Sequence, residues 1–296
     1  MSTEKGRALP PLRVRARQIV ESDISRLADL LAKGFRGHGR HFWLRVFARL
    51  TNHPSPSGLP KYGYLLENGD MPVGVILLIF TNMRTAGGRT TRGNVSSWYV
   101  EPAFRSYAAL LVSCALKHKD LTYLNVTAAP STRAIADAQG YRMYSRGLFV
   151  ATPALSLRSC KAEVRLVNTQ PPPDGHFEPW EQDLLLEHAK YGCISLWCET
   201  SERAYPFVFR ARRIRGIIPY VQLVYCRDLE DLTRLVRPIG RFLLLRGHPF
   251  VAIDSNGPIL GLVGKYFDGK MPKYFKGRDR PRLGDLAYTE IAMFGV

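Results

Sequence analysis

The chain has 296 residues, 46% of them hydrophobic, and a formal net charge of +17. This length allows one large domain or two of ordinary size, and the hydrophobic fraction is that of a protein with a buried core. No apolar run reaches the roughly 18 residues that predict a transmembrane helix, and the charged residues 1–17 do not predict a signal peptide. The five cysteines form no C-x-x-C pair, so we expect reduced thiols, no metal site and a cytoplasmic protein.

The positive charge is unevenly distributed along the chain. Residues 1–150 carry a net charge of +12, and residues 151–296 carry +5. A basic surface attracts anions of many kinds. Nucleotide cofactors, tRNA, acidic polysaccharides and anionic membranes are all compatible with this charge, which by itself selects none of them.

The first half predicts the element order β-α-α-β-β-β-α-β-α-β. The alternation over 12–19 predicts a half-exposed strand, and helical spacing follows from Ser22 or Asp23. Two apolar runs on either side of an Asn-Gly turn predict a β-hairpin. The remaining elements are a helix at 41–50, hairpin strands at 62–67 and 72–80, a mobile loop at 85–93, a strand at 95–100, a helix at 108–117, a strand at 121–126, a short helix at 131–138 and a last strand near 148–151.

The most informative stretch is the passage from the strand at 95–100 into the helix that begins at Ala108. A helix N-terminus that follows a strand and loop offers unpaired backbone N–H groups and a favourable dipole to a phosphate. Val100, Pro102, Phe104 and Arg105 mark this passage. The sequence therefore predicts a phosphate site at the start of the helix.

These residues resemble the coenzyme A-binding motif of the GCN5-related N-acetyltransferase (GNAT) superfamily, V-x-P-x-[FY]-R-x-x-G-x-G/A-x-x-L. The match is partial, because Ala108 and Leu110 stand where the motif has glycine. A late stretch that ends in Gly140 and Tyr141 resembles a second GNAT signature, A-x-x-x-Y-x-x-x-G-F. The resemblance covers roughly residues 12–152.

The second half of the chain partly repeats the plan of the first. A helix is predicted at 179–191, strands at 205–209 and 217–225, a helix at 229–245 and a strand at 249–253. The loop at 226–231 carries three acids and no glycine, and acids at a helix start repel phosphate. We therefore expect this half to hold no cofactor. The tail, 264–296, interleaves bases with aromatics, which suits sugars, acyl chains, nucleic acid or a surface loop packed on the domain.

The resemblance implies an α/β (α+β) fold with two GNAT-like domains, each a mixed, mostly antiparallel twisted sheet flanked by helices. We expect an acyl-CoA-binding domain at 1–160, a linker at 161–178, and a degenerate second domain with a basic-aromatic tail at 179–296. It further implies acetyl-CoA or another acyl-CoA as donor, and no metal. The residues that the resemblance assigns to the coenzyme are Ser97, Trp98, Tyr99, Val100, Arg105, Ser106, Tyr107, Ala108, Ala109 and Leu110.

The catalytic groups are harder to assign. The tyrosine that protonates the thiolate in the family would fall near Ala136, so that group is missing here. Tyr141 is a candidate in a different register. Glu101 is a candidate base, with His118 or a chain of waters as alternatives.

These features predict an acyltransferase that moves an acyl group, in the first place acetyl, from coenzyme A to an unidentified amine or hydroxyl on a small molecule or saccharide. Two alternatives stay open. One is a non-catalytic GNAT-like binding or regulatory protein, favoured by the missing glycines and tyrosine. The other is a Fem-type transferase that uses aminoacyl-tRNA, although the coenzyme A-type loop counts against it and nucleic acid is not our expected partner. A homodimer is compatible with the sequence.

Overall fold

The structure is a computed structural model and describes residues 14–85, 88–156, 160–167, 177–214 and 216–295. The strands are β1 (Val14–Gln18), β2 (Gly63–Asn68), β3 (Met71–Thr85), β4 (Gly88–Val100), β5 (Thr122–Asn125), β6 (Arg142–Ala151), β7 (Glu163–Leu166), β8 (Ile194–Glu199), β9 (Ala204–Ile214), β10 (Ile218–Cys226), β11 (Val251–Ser255) and β12 (Gly264–Lys276). The α-helices are α1 (Ile24–Gly34), α2 (Arg40–Asn52), α3 (Ala108–Ala115), α4 (Arg133–Ala138), α5 (Pro179–Lys190), α6 (Leu229–Arg234), α7 (Val236–Leu244) and α8 (Glu290–Met293). No helix among these described segments is both long and apolar enough to cross a membrane.

One compact unit comprises Met1–Asn52, Gly58–Leu78 and Ser97–His118. Within it, β1 pairs with β2 and β2 pairs with the first part of β3, both antiparallel. The predicted hairpin is confirmed, and its turn uses Gly69 at φ +60°, a conformation that glycine adopts without strain. Helices α1 and α2 bury one apolar face each, as their spacing predicts.

The second compact unit comprises His53–Ser57, Ile79–Ser96 and Lys119–Val296. The strand segments that fall in it are hydrogen-bonded in the order β3-β4-β5-β12-β6-β11-β10-β9-β8-β7. One buried apolar cluster includes residues of α5 and α8, and another includes residues of α6 and α7. The predicted mixed, mostly antiparallel sheet flanked by helices is therefore confirmed. The domain boundaries at 160 and 179 stay a prediction, because neither unit coincides with them.

Strands β7 to β11 follow the same plan as β1 to β5. In the first set β1, β2 and β3 pair antiparallel, and α3 connects the parallel neighbours β4 and β5. In the second set β7 to β10 pair antiparallel, and α6 and α7 connect the parallel neighbours β10 and β11. The strand–helix–strand order predicted for the second half is present.

The strand that follows each set of five in sequence does not pair with the last strand of that set, but with the last strand of the other set. Strand β12, which follows the second set, pairs with β5 and β6, whereas β6, which follows the first set, pairs with β11. Each set of five strands is thus continued by a strand from the other half of the chain. Because strand edges need hydrogen-bond partners when they are buried, β12 is required for β5 and β6 to be fully paired.

Several elements differ from the local predictions. The first part of the tail is strand β12 rather than a loop, and its aromatics Tyr274 and Phe275 are buried. The predicted loop at 85–93 is shorter, because β4 begins at Gly88. The predicted linker contains β7 at Glu163–Leu166, while its residues 168–176 lie outside the described ranges.

Two further differences lie in the second half. Strand β8 was missed because it is buried on both faces and shows no alternation. The predicted helix at 229–245 is divided at Leu235 into α6 and α7. Pro238 lies three positions further on, lacks the N–H that would bond the Arg234 carbonyl, and therefore cannot continue α6.

Strand β12 carries a buried ionic pair. Lys273 Nζ donates to the Val126 carbonyl at 2.8 Å and lies 3.8 Å from Asp254 Oδ1 on β11. Neither side chain is appreciably exposed. Burial lowers the pKa of Lys273 and raises the pKa of Asp254, in each case against the attraction of the partner. The pair is therefore a constraint on the register of the central strands as well as a cost of desolvation.

We expect Lys273→Met to lower the free energy of unfolding by ~3–5 kcal/mol, because it leaves the Asp254 carboxyl buried without its cation. Adding Asp254→Asn should restore part of the loss, since the remaining group is neutral. Urea denaturation of the full chain measures both effects. Lys270→Met, at an exposed position of the same strand, is the matched control and should change stability by less than about 0.5 kcal/mol. Equal effects of Lys273→Met and Lys270→Met would contradict the assignment.

A fragment of residues 1–160 should not unfold cooperatively. It lacks β12, so β5 and β6 lose their shared neighbour and expose unpaired backbone groups. Far-ultraviolet circular dichroism during a urea titration checks this. A steep two-state transition from the fragment would show that the first half is stable without the exchanged strand.

Candidate functional site

The predicted coenzyme A loop lies in the first unit, at the end of β4. Ser97 adopts φ +48°, a left-handed conformation that is uncommon outside glycine and alters the course of the strand. Val100 is buried, and a 3₁₀ helix over Pro102–Tyr107 then leads directly into α3. The strand-loop-helix order is as predicted, but the loop itself is helical.

This 3₁₀ helix changes how an anion could be bound. The Phe104 N–H donates to the Glu101 carbonyl at 2.9 Å, and the Ala108 N–H donates to the Arg105 carbonyl. Bonds between residues three apart use the N–H groups that the sequence analysis expected to be unpaired. Side chains must therefore supply most of the contacts to a phosphate at this position. The side chains of Arg105 and Ser106 are both exposed and have no hydrogen-bond partner in the described parts of the chain.

The other predicted coenzyme residues divide between packed and accessible positions. The Tyr99 ring lies against α1, where a methyl group at Gly34 would come within 2.5 Å of it. Trp98 has a buried indole N–H with no partner among the described residues, so it can donate to an acceptor on a ligand. Leu110 is 41% exposed, and Ala109 is exposed beside it. Tyr107 and Ala108 are half-buried.

The two predicted catalytic residues fall in different units. Glu101, in the first unit, forms an ion pair with Lys33 Nζ at 2.5 Å, and this partner raises the pKa of Lys33. Tyr141, in the second unit, is buried, and burial raises the pKa of its hydroxyl well above the usual range. Tyr141 therefore keeps its proton at neutral pH. Burial also lowers the pKa of His118, with a further contribution from Lys117.

A buried acid of the second unit was missed by the sequence analysis. Strands β4 and β5 are paired only from Arg92 to Asn94 on the β4 side. Just beyond this pairing, the carboxylate of Glu290 accepts hydrogen bonds from the hydroxyls of Ser96 and Thr127. Burial raises the pKa of Glu290 despite these two donors.

The side-chain amide of Asn94 adds to the polarity of this region. It is buried, and neither its oxygen nor its nitrogen has a partner in the described structure. Unpaired buried polar atoms and perturbed carboxyls are typical of functional sites as well as of structural networks. Glu290 stands far from β4 in sequence, in a short helix with no motif, so no sequence signal could have paired it with Ser96.

The second unit also contains a cavity of about 920 Å³. Three aromatic side chains line it, and Trp180 packs edge-on against Tyr225 at 6.5 Å between ring centroids. Its residues are Met83, Arg84, Thr90, Arg92, Thr122, Phe177, Glu178, Trp180, Glu181, Tyr225, Arg227, Asp279, Arg280, Pro281, Arg282 and Asp285. Its size is in the range of small-molecule sites, although nine of the sixteen lining residues are charged.

Two arginine–carboxylate pairs organise the walls of this cavity. Arg227 donates to the Glu181 carboxylate from Nε at 2.8 Å and from Nη2 at 2.5 Å. In the second pair, Arg92 Nη1 donates to Asp285 Oδ2 at 3.1 Å. Burial alone would raise the pKa of Asp285, but Arg92 and Arg282 outweigh it and hold that pKa below its usual range.

Two further arginines of the cavity are available to a ligand. The side chains of Arg84 and Arg280 are exposed and form no hydrogen bond or ion pair with any described residue. The lining therefore combines arginine–carboxylate pairs in the walls with two exposed arginines, and its five arginines exceed its four acids by one.

No protein-family model and no curated protein matches the sequence. Solved structures do match. A proposed acetyltransferase of Pyrococcus horikoshii is 13% identical, with a TM-score of 0.57 over 97% of each chain. A GCN5-related N-acetyltransferase of Anabaena variabilis is 11% identical, with a TM-score of 0.57 over 89% of this chain and 72% of that one. One from Kribbella flavida is 13% identical, with a TM-score of 0.56 over 89% and 71%. This chain has the fold of the GCN5-related N-acetyltransferases.

Proposed function

We propose that the protein is an acyltransferase that takes an acyl group, in the first place acetyl, from coenzyme A and transfers it to an amine or hydroxyl. The observation that carries the proposal is the strand-to-helix passage with exposed Arg105 and Ser106, in the fold described above. Two of the similar structures are described as GCN5-related N-acetyltransferases and the third as a proposed acetyltransferase, and these names support the same reaction.

In this proposal the donor is held by the end of β4 and by the turn after it. Arg105 and Ser106 contact phosphate oxygens through their side chains, because the backbone N–H groups of the 3₁₀ helix are already used. The indole N–H of Trp98 donates a hydrogen bond to a polar atom of coenzyme A. This residue suits the role because its buried N–H has no other acceptor among the described residues. The coenzyme supplies an activated thioester. Residues 97–100 and 105–110 remain the proposed coenzyme-binding residues.

Acyl transfer also needs proton movement: the acceptor loses a proton and the departing thiolate gains one. Tyr141 stays protonated, so only the second task is open to it, and its raised pKa makes it a weak acid toward a thiolate. Glu101 suits the first task only when Lys33 releases its carboxylate. We place the acceptor in the cavity of the second unit, where Trp180 and Tyr225 offer apolar walls. The tail residues Arg280 and Arg282 belong to its lining.

A non-catalytic binding protein is the second candidate. It is favoured by the 3₁₀ helix, whose backbone N–H groups bond its own carbonyls instead of a ligand, and by Leu110 in place of a glycine. Both candidates bind coenzyme A, and only the enzyme releases free thiol in the presence of an acceptor.

Replacing Arg105 by alanine should weaken binding of acetyl-CoA by roughly 1.5–3 kcal/mol, because a charge-assisted hydrogen bond to phosphate is lost. Isothermal titration of the full chain measures the change. The melting temperature without ligand should stay the same, since Arg105 has no partner among the described residues. Arg45→Ala, an exposed arginine on α2 of the same unit, is the control and should bind as the wild type does. No binding by the wild type, or equal binding by both variants, would refute the donor site.

Substitutions in the cavity should affect the acceptor and not the donor. Incubation with acetyl-CoA and a panel of amines, followed by detection of free thiol, identifies an acceptor. With that acceptor, Trp180→Ala and Arg280→Gln should raise KM several-fold and leave acetyl-CoA affinity unchanged. Arg89→Gln, an exposed arginine outside the lining, serves as control. An unchanged acceptor KM in both cavity variants would place the acceptor elsewhere, and thiol release by no amine would favour the binding protein.

A further inference from the structure

Two loops of the second unit project from the same end of its sheet. One is the turn between β9 and β10, and the other connects α7 to β11. Strands β10 and β11 are parallel with Val221 beside Val251, and the Val221 N–H donates to the Phe250 carbonyl at 2.9 Å. The start of β10 and the loop before β11 therefore lie side by side. Arg213 of the hairpin is also near enough to His248 of the loop to contribute to lowering the pKa of that histidine, after burial.

Both loops expose large aliphatic side chains. On the hairpin, Ile214 and Ile218 are cross-strand partners, and Ile217 at the turn is 75% exposed. On the other loop, Leu244 and Leu245 end α7, and Leu245 is 86% exposed. Scattered exposed apolar residues are ordinary, but five at the tips of two adjacent loops indicate a contact surface. We call these five residues together with Arg213 and Arg246 the aliphatic–basic end.

The charge around these side chains has one sign. Residues 212–214, 216–220 and 241–253, which form the two loops and their strand and helix ends, include four arginines and no aspartate or glutamate. Arg213 and Arg246 are exposed at the two loops, and Arg246 lies over the Phe242 ring at 3.6 Å. The loop tips are aliphatic, and the residues around them include arginines but no acids. Such a surface is complementary to one in which an apolar layer lies beneath negatively charged groups.

We propose that the aliphatic–basic end binds the surface of an anionic lipid bilayer. In this arrangement the isoleucine and leucine side chains enter the boundary between headgroups and acyl chains, while the arginines contact lipid phosphates. A second copy of the chain is a poorer partner, because it would bring the same positive charge. Nucleic acid fits the arginines, but aliphatic side chains offer no flat face for base stacking. An acidic protein remains as an outcome of the test.

The experiment is co-sedimentation of the full chain with vesicles of phosphatidylcholine, with and without phosphatidylglycerol. The chain should sediment with the anionic vesicles and stay in solution with the zwitterionic ones. The double variant Ile217→Ser/Leu245→Ser should partition about ten-fold less, because two exposed apolar side chains no longer enter the bilayer. Arg213→Gln/Arg246→Gln should also partition less, and added salt should weaken binding of the wild type.

Two controls separate this surface from general stickiness. Leu260 is 88% exposed but lies outside the aliphatic–basic end, in a pocket that Glu230 and Asp231 also line. The variant Leu260→Ser should therefore sediment as the wild type does. Arg146→Gln, at another exposed arginine, tests charge alone. All variants should melt as the wild type does, since the altered side chains are exposed.

Absence of sedimentation with anionic vesicles would overturn the proposal. So would vesicle binding that Ile217→Ser/Leu245→Ser leaves unchanged, since the arginines alone would then explain it. Capture of an acidic protein through the same residues, without any vesicle binding, would likewise assign the surface to that protein and refute the lipid.

Discussion

The structure depends on the pairing of β12 between β5 and β6. A buried strand edge with unpaired N–H and C=O groups is costly, and β12 removes two such edges in the second unit at once. Its partner β6 extends the sheet toward β11. The strand that completes the first set of five therefore comes from the last part of the chain, and folding of that set depends on contacts very distant in sequence. The buried pair of Lys273 and Asp254 then links β12 to β11 across the strand β6 that lies between them.

The exchange also brings the C-terminal segment to the point where β4 and β5 cease to pair. Glu290, carried by α8, bonds Ser96 and Thr127 there. The raised pKa of Glu290, the unpaired amide of Asn94 and the lowered pKa of Lys273 mark this as a buried region with perturbed polar groups. The low dielectric of the interior strengthens each of these hydrogen bonds and raises the cost of each buried polar atom without a partner. The contacts that hold the C-terminal segment in place therefore also influence the protonation of Glu290.

At the predicted phosphate loop, local backbone geometry decides what a ligand can use. A loop with glycines can present several N–H groups, whereas the 3₁₀ helix from Pro102 bonds its own. In the donor site that we propose, binding of an anion would rest on Arg105 and Ser106, whose long or rotatable side chains lose entropy when they are fixed. An arginine can still bind phosphate in a bidentate manner, so the loss of glycine changes the mode of binding and its cost rather than the charge of the ligand.

The sequence by itself determined the elements whose signals are local. The hairpin at Gly69, the amphipathic helices α1 and α2, and the strand-to-helix passage at Ala108 follow from turn chemistry and periodicity over a few residues. The likeness to the GNAT motif added the fold. Tertiary structure alone decided the position of β12, because its exposed first residues and buried last residues show no single period. It alone decided that Glu290 meets Ser96, that Glu101 is held by Lys33, and that Phe177, Tyr225 and Arg280 line one cavity. These are contacts between residues far apart in the chain, and a single sequence carries no signal for such pairs.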